Sequence, residues 1–264
     1  MKKESPIGFF DSGVGGLSVF SKFCDALPSE NLMYFGDLKN LPYGNKTQGQ
    51  LISYAKNILN FFEKKGVKAV VIACNTSSAL AYEAIKNDYN FEIYPIIQSC
   101  AKLISEMNLP KIGVFATQGT VNSSAYKKEI TKHNSKVDVV EIACPNWVNI
   151  VETGSLDEES SISDIKNKLE EMLLSQPDKI ILGCTHYPYL LNILEKYATK
   201  DLFIDPARIF VEYIANDLRN KNLLNDLSIE GNKEFYVSAN PKSFVENAKL
   251  FYDVKTLPEI VEFV

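Results

Sequence analysis

The chain has 264 residues, 45% hydrophobic and 23% charged, enough for one or two buried cores and too apolar for a disordered or fibrous body. Its 28 basic and 33 acidic residues give a net charge of −5 with the lysines dispersed, which argues against a nucleic-acid partner. Five cysteines, without a C-x-x-C pair, argue against a disulfide framework or a zinc ribbon and fit reduced thiols in a cytoplasmic protein. The opening apolar run, Ile7 to Phe10, is too short for a secretory signal, and no run approaches the ~18 residues of a spanning helix, so no membrane partner is expected.

Short apolar runs alternating with segments of helical period predict an α/β fold of mostly parallel sheets flanked by helices. In chain order, strands are expected at 7–10, 32–35, 69–73, 92–96, 112–116, 137–142, 179–183 and 202–205. Between the second and third, Leu51, Ala55, Ile58, Leu59 and Phe62 recur at the spacing of one helix face. The acidic stretch 157–171 carries Ile162, Ile165 and Leu169 and reads as a helix with one solvated side. Ile7-Gly8-Phe9-Phe10 is echoed by Ile112-Gly113-Val114-Phe115, and Val70-Val71-Ile72-Ala73-Cys74 by Ile180-Ile181-Leu182-Gly183-Cys184. This weak repeat predicts two similar lobes facing each other, with ligands beyond the carboxyl ends of the strands.

The turn after the first strand, Asp11-Ser12-Gly13-Val14-Gly15-Gly16, misses the G-x-G-x-x-G dinucleotide fingerprint because Ser18 stands at the third glycine position. Three readings stay open: a nicotinamide site with Asp37 as the ribose acid, a tight turn needing glycine backbone angles, or a turn whose N–H groups and Ser12 hold a small carboxylate while Asp11 does acid–base work. Only Arg208 and Arg219 are arginines, so a small anion is expected to be held by backbone N–H groups and hydroxyls.

A single cysteine at a strand end is ordinarily a small hydrophobe. Cys74 and Cys184, however, occupy matched positions in the two repeats. Each precedes hydroxyl residues and an expected helix N-terminus, where a thiolate is stabilised and its pKa lowered. Two opposed thiols suit inversion of a carbon stereocentre, one taking the α-proton from one face while the other returns a proton to the opposite face. A cysteine hydrolase would need one thiol and an orienting histidine, and His186, two residues from Cys184, is too close for such a pair in an extended turn. Cys184 and His186 lack further ligands at metal spacing, so no metal is expected. No Schiff-base lysine or phosphate cup stands out, so no cofactor is expected either. Pro42-Tyr43-Gly44 reads as a loop over the site, and Cys24, Cys100 and Cys144 as packing.

Phe10-Asp11-Ser12-Gly13-Val14-Gly15-Gly16, Ala73-Cys74-Asn75-Thr76 and Leu182-Gly183-Cys184-Thr185-His186-Tyr187-Pro188 resemble the three signature motifs of the bacterial glutamate racemases, within the cofactor-independent aspartate/glutamate racemases. Phe35-Gly36-Asp37, Pro42-Tyr43-Gly44 and Thr117 through Thr120 to Ser123 agree in order and spacing. The resemblance implies interconversion of L- and D-glutamate for peptidoglycan, with Cys74 acting on the D-enantiomer and Cys184 on the L-enantiomer. It further implies that Asp11 and His186 assist the thiols and meet the substrate, and that Glu152 is an acid behind His186. Ser12, Tyr43, Gly44, Asn75, Thr76, Thr117, Thr120 and Thr185 would bind glutamate. The implied lobes are 1–97 plus 208–264 and 98–207, in a homodimer. Rival readings are an aspartate or broad acidic amino acid racemase and a two-lobe protein that binds an amino acid without turning it over.

Overall fold

The computed structural model describes residues 2–263. Ten strands form two sheets, and every pairing is parallel. The strands are β1 (Ile7–Asp11), β2 (Leu32–Gly36), β3 (Ala69–Ile72), β4 (Glu92–Pro95), β5 (Lys111–Ala116), β6 (Asp138–Ala143), β7 (Lys179–Gly183), β8 (Phe203–Ile204), β9 (Lys233–Val237) and β10 (Glu259–Ile260). The first sheet runs β10-β9-β2-β1-β3-β4 and the second β6-β5-β7-β8. Setting aside the two added edge strands, the sheets have the same order, with β1 equivalent to β5 and β3 to β7. The sequence repeat is therefore a repeat of topology.

The helices are α1 (Leu17–Ala26), α2 (Gln48–Lys64), α3 (Asn75–Leu80), α4 (Tyr82–Ile85), α5 (Ile96–Ser105), α6 (Gln118–Ser123), α7 (Ala125–His133), α8 (Trp147–Glu152), α9 (Glu159–Leu173), α10 (Leu191–Leu194), α11 (Pro206–Asn220) and α12 (Pro241–Ala248). Successive strand residues face opposite sides, so β1 and β3 feed two apolar clusters. Phe10, Val70 and Ile72 meet the buried stripe Leu51, Ala55, Ile58, Leu59 and Phe62 of α2. Ile7, Phe9 and Val71 join a larger core that continues through α1, α5 and α11 into the second sheet. Helix α2 starts where a capping box closes it, the Thr47 hydroxyl accepting from the Gln50 N–H and the Gln50 side chain accepting from the Thr47 N–H. The acidic stretch forms α9, burying Ile165, Leu169 and Met172 and leaving its charges in water.

The expected strands are found with small end shifts. The last is trimmed to two residues, and β9 and β10 were not expected at all. Strand β9 carries only three apolar residues after Lys233 and Glu234, and β10 is two residues long, so neither has the continuous apolar run that marks a buried parallel strand. Among the described residues, no helix is long and apolar enough to cross a membrane.

Candidate active site

The carboxyl ends of β1, β3, β5 and β7 face one cavity enclosing about 530 Å³ of space, open solvent at its mouth included. Asp11, Ser12, Tyr43, Gly44, Cys74, Asn75, Thr76, Thr117, Thr185, Cys184 and His186 all line it. Thr120 and Glu152 do not. Thr120 meets the Thr117 hydroxyl at 3.1 Å, and Glu152 stands behind His186. Leu41, Asn45, Gln118, Pro145 and Val148 line the cavity without having been singled out in the sequence. The rule that ligands sit beyond strand carboxyl ends could have found the last three, because β5 and β6 end just before them. No lysine or arginine lines the cavity among the described residues, so a bound anion must be met by N–H groups, hydroxyls and the His186 ring.

Cys74 lies two residues beyond β3 and caps α3, its sulfur accepting from the Ser77 N–H at 3.5 Å. The expected lowering of its pKa is overturned. Burial, then the Asp11 charge, pushes the thiol up to about 12, outweighing the hydrogen bond from Ser77 that favours the thiolate. At neutral pH without ligand, Cys74 is therefore a proton donor. The charge of Cys184 acts on it in the same direction.

The expected distance between Cys184 and His186 is also overturned. Residue 186 is in the helical region (φ −83°, ψ −27°) and starts a 3-10 turn at Tyr187–Leu190, so the chain curls and the ring nitrogen Nδ1 comes to 3.7 Å from the Cys184 sulfur. Nε2 pairs with Glu152 Oε1 at 2.7 Å. Burial disfavours the charged ring, but the sulfur and the Glu152 carboxylate outweigh it and raise His186 to about 10. Asn247 of α12 donates to the other Glu152 oxygen at 3.4 Å.

Asp11 is 1% exposed, and burial raises its pKa against the opposing pull of His186 and the Gly13 N–H. Gly13 N–H donates to its Oδ1 at 3.0 Å, and Thr185, from the other sheet, donates to its Oδ2 at 3.3 Å. The glycines beside it are not in left-handed backbone, since only Gly66 and Gly154 among the described glycines have positive φ. They make room. A Cβ on Gly15 would lie 2.4 Å from the His186 ring and 2.5 Å from Thr185 Oγ1, and one on Gly16 would lie 2.5 Å from the Asp11 Cβ.

Two further links cross between the sheets. Thr76 and Thr117 share a hydroxyl–hydroxyl bond of 2.9 Å, and the Tyr126 hydroxyl donates to Asn75 Oδ1 at 2.6 Å. Tyr43 donates to Asp37, which fixes the loop over the mouth. All five cysteines are free thiols.

Residues 19–214 match the family described as Asp/Glu/Hydantoin racemase. The chain belongs to that family. It is 36% identical over 252 residues to a glutamate racemase of Thermoanaerobacter sp. (strain X514), covering 95% of this chain and 94% of the relative. Its fold matches a crystal structure of Francisella tularensis glutamate racemase in complex with D-glutamate at TM-score 0.92 and 31% identity, covering 98% of both chains. A Thermus thermophilus glutamate racemase, in complex with β-chloro-D-alanine, matches at TM-score 0.87 and 31% identity, covering 99% of this chain and 98% of that one.

Proposed function

We propose that this chain is a glutamate racemase that inverts the α-carbon by two opposed thiols. The observation that carries the reading is that two cysteines, at equivalent strand ends of a repeated fold, line one cavity without a lysine or arginine. With L-glutamate bound, the Cys184 thiolate takes the α-hydrogen as a proton. The electron pair left on carbon spreads into the α-carboxylate, and the Cys74 thiol donates its proton to the opposite face. The product is D-glutamate with the thiol and thiolate exchanged, and D-glutamate runs the same steps backwards. The α-proton is very weakly acidic, so the developing negative charge needs preorganised donors in a site that excludes bulk water. Ser12, Asn75, Thr76, Thr117 and Thr185 are in position to supply hydroxyl and amide groups. Asp11 takes the substrate ammonium, whose charge also relieves the burden Asp11 places on Cys74, and His186 serves Cys184 as its proton partner.

We assign residues 1–97 with 208–264 to one lobe and 98–207 to the other, in a cytoplasmic homodimer supplying D-glutamate for peptidoglycan. Proton NMR in heavy water tests the chemistry: each enantiomer should lose its α-hydrogen signal while optical rotation decays. Cys74→Ser should abolish racemisation yet leave Cys184 to exchange the α-hydrogen of L-glutamate with retention, and Cys184→Ser should do the same for D-glutamate. Wild-type racemisation by either variant overturns the thiol assignment, and faster turnover of aspartate overturns the substrate.

A further inference from the structure

We propose that Tyr126 is a positioning residue for this reaction: from the second sheet's side it fixes the amide of Asn75 so that its NH2 group faces the cavity and donates to a substrate carboxylate. The inference rests on the racemase reading and deepens it. Asn75 follows Cys74 directly, is 2% exposed and lines the cavity. Its two amide ends are not equally occupied. Oδ1 accepts from the Tyr126 hydroxyl at 2.6 Å, whereas Nδ2 is fully buried and has no hydrogen-bond partner among the described residues. An unpaired buried donor is costly unless a ligand completes it.

A terminal amide turns about a soft two-fold torsion, so sequence and packing alone leave either end facing the cavity. Tyr126 removes the ambiguity. It is wholly buried, and burial raises its pKa well above the usual range, so it stays protonated and must donate. Its only acceptor among the described hydrogen bonds is Asn75 Oδ1. Turning the amide over would strand the hydroxyl proton and present a carbonyl oxygen to an anionic substrate. The tyrosine reaches Asn75 because Ser124, in the left-handed region at φ 52°, breaks the chain between α6 and α7 and redirects the helix carrying Tyr126.

The test is steady-state kinetics in both directions, with calorimetric Kd for D-glutamate, on wild type, Tyr126→Phe, Asn75→Ala and the double variant. Tyr126→Phe should raise KM and Kd about tenfold while kcat changes less than about twofold, as loss of ground-state binding requires. With Asn75 already alanine, Tyr126→Phe should add less than about twofold, since its action runs through the amide. An equal effect in both backgrounds, or an unchanged KM in Tyr126→Phe, overturns the proposal. Should Tyr126→Phe fail to fold, Asn75→Asp decides. It keeps the acceptor for Tyr126 but replaces the inward donor with an oxygen, and should raise KM by at least about tenfold. Wild-type KM in Asn75→Asp overturns the proposal. A wild-type chain that binds D-glutamate without racemising it overturns the chemistry of the preceding section alone, the Kd values still deciding Tyr126; one that binds no glutamate overturns both.

Discussion

Asp11, Cys74 and His186 are all at least 95% buried, so desolvation opposes a charge on each of them. His186 makes this measurable. Burial opposes its charge, but the Cys184 sulfur and Glu152 raise its folded-state pKa from 6.5 to about 10. Between those values the folded chain holds a proton that the unfolded chain has released, so this stabilisation is complete below pH 6.5 and is lost as pH rises toward 10. Cys74, raised from 9.0 to about 12, adds a loss of the same sign only above pH 9. Melting temperatures of wild type and His186→Gln between pH 6.5 and 9 should therefore diverge, the wild type falling more steeply. Parallel curves would show that the ring is neutral in the folded protein. At this scale the sequence revealed residues that gather at one cavity; it could not reveal protonation, because Cys74 and His186 are shifted by burial and by neighbours that only the fold brings into contact.

At the scale of elements, glycine positions record how closely the layers approach. Gly8 in β1 and Gly113 in β5 are repeat equivalents and do the same job. A Cβ on the first would lie 2.9 Å from the Phe62 ring of α2, and one on the second 2.5 Å from the Met172 sulfur of α9. Each lets a helix side chain lie flat on its sheet. Gly15 makes room at the contact between sheets. Gly15→Ala should force the first turn away from His186 and Thr185, destabilising the fold by ~1–3 kcal/mol and reducing kcat/KM at least about tenfold. Gly49→Ala, in open space at the start of α2, is the matched control and should leave kcat/KM unchanged. Equal activity of the two variants would mean that the turn accommodates a methyl without moving the site. The stripe of α2 and the strands β1, β3, β5 and β7 were legible because period and burial coincide in them. Strand β9 was not, since its pairing with β2 is a contact across about two hundred residues of chain.

At the scale of the molecule, a shared apolar core joins the two sheets on one side, while polar bonds close them over the cavity on the other. Asp11–Thr185, Asn75–Tyr126 and Thr76–Thr117 each span the two sheets and each involves residues that line or adjoin the cavity. Such bonds are modest individually, so the polar side is the one expected to open for substrate while the core side holds. Saturating D-glutamate should therefore slow backbone hydrogen exchange around Thr117–Thr120 and Cys184–Tyr187 by at least about tenfold, with α2 unaffected. Exchange unchanged at both segments would indicate that substrate enters a site already closed.

The sequence by itself determined the layering, the repeat, the two thiols and the cavity-lining motifs, because periodicity, strand-end position and residue chemistry are local properties of the chain. Only the tertiary structure decided that Cys74 is held as a thiol, that His186 reaches Cys184 and has its pKa raised by that sulfur and Glu152, that the glycines make space rather than turns, and that the Tyr126 hydroxyl meets Asn75. Each of those depends on distance, burial or hydrogen bonding between groups that the sequence does not place together until both sheets have formed.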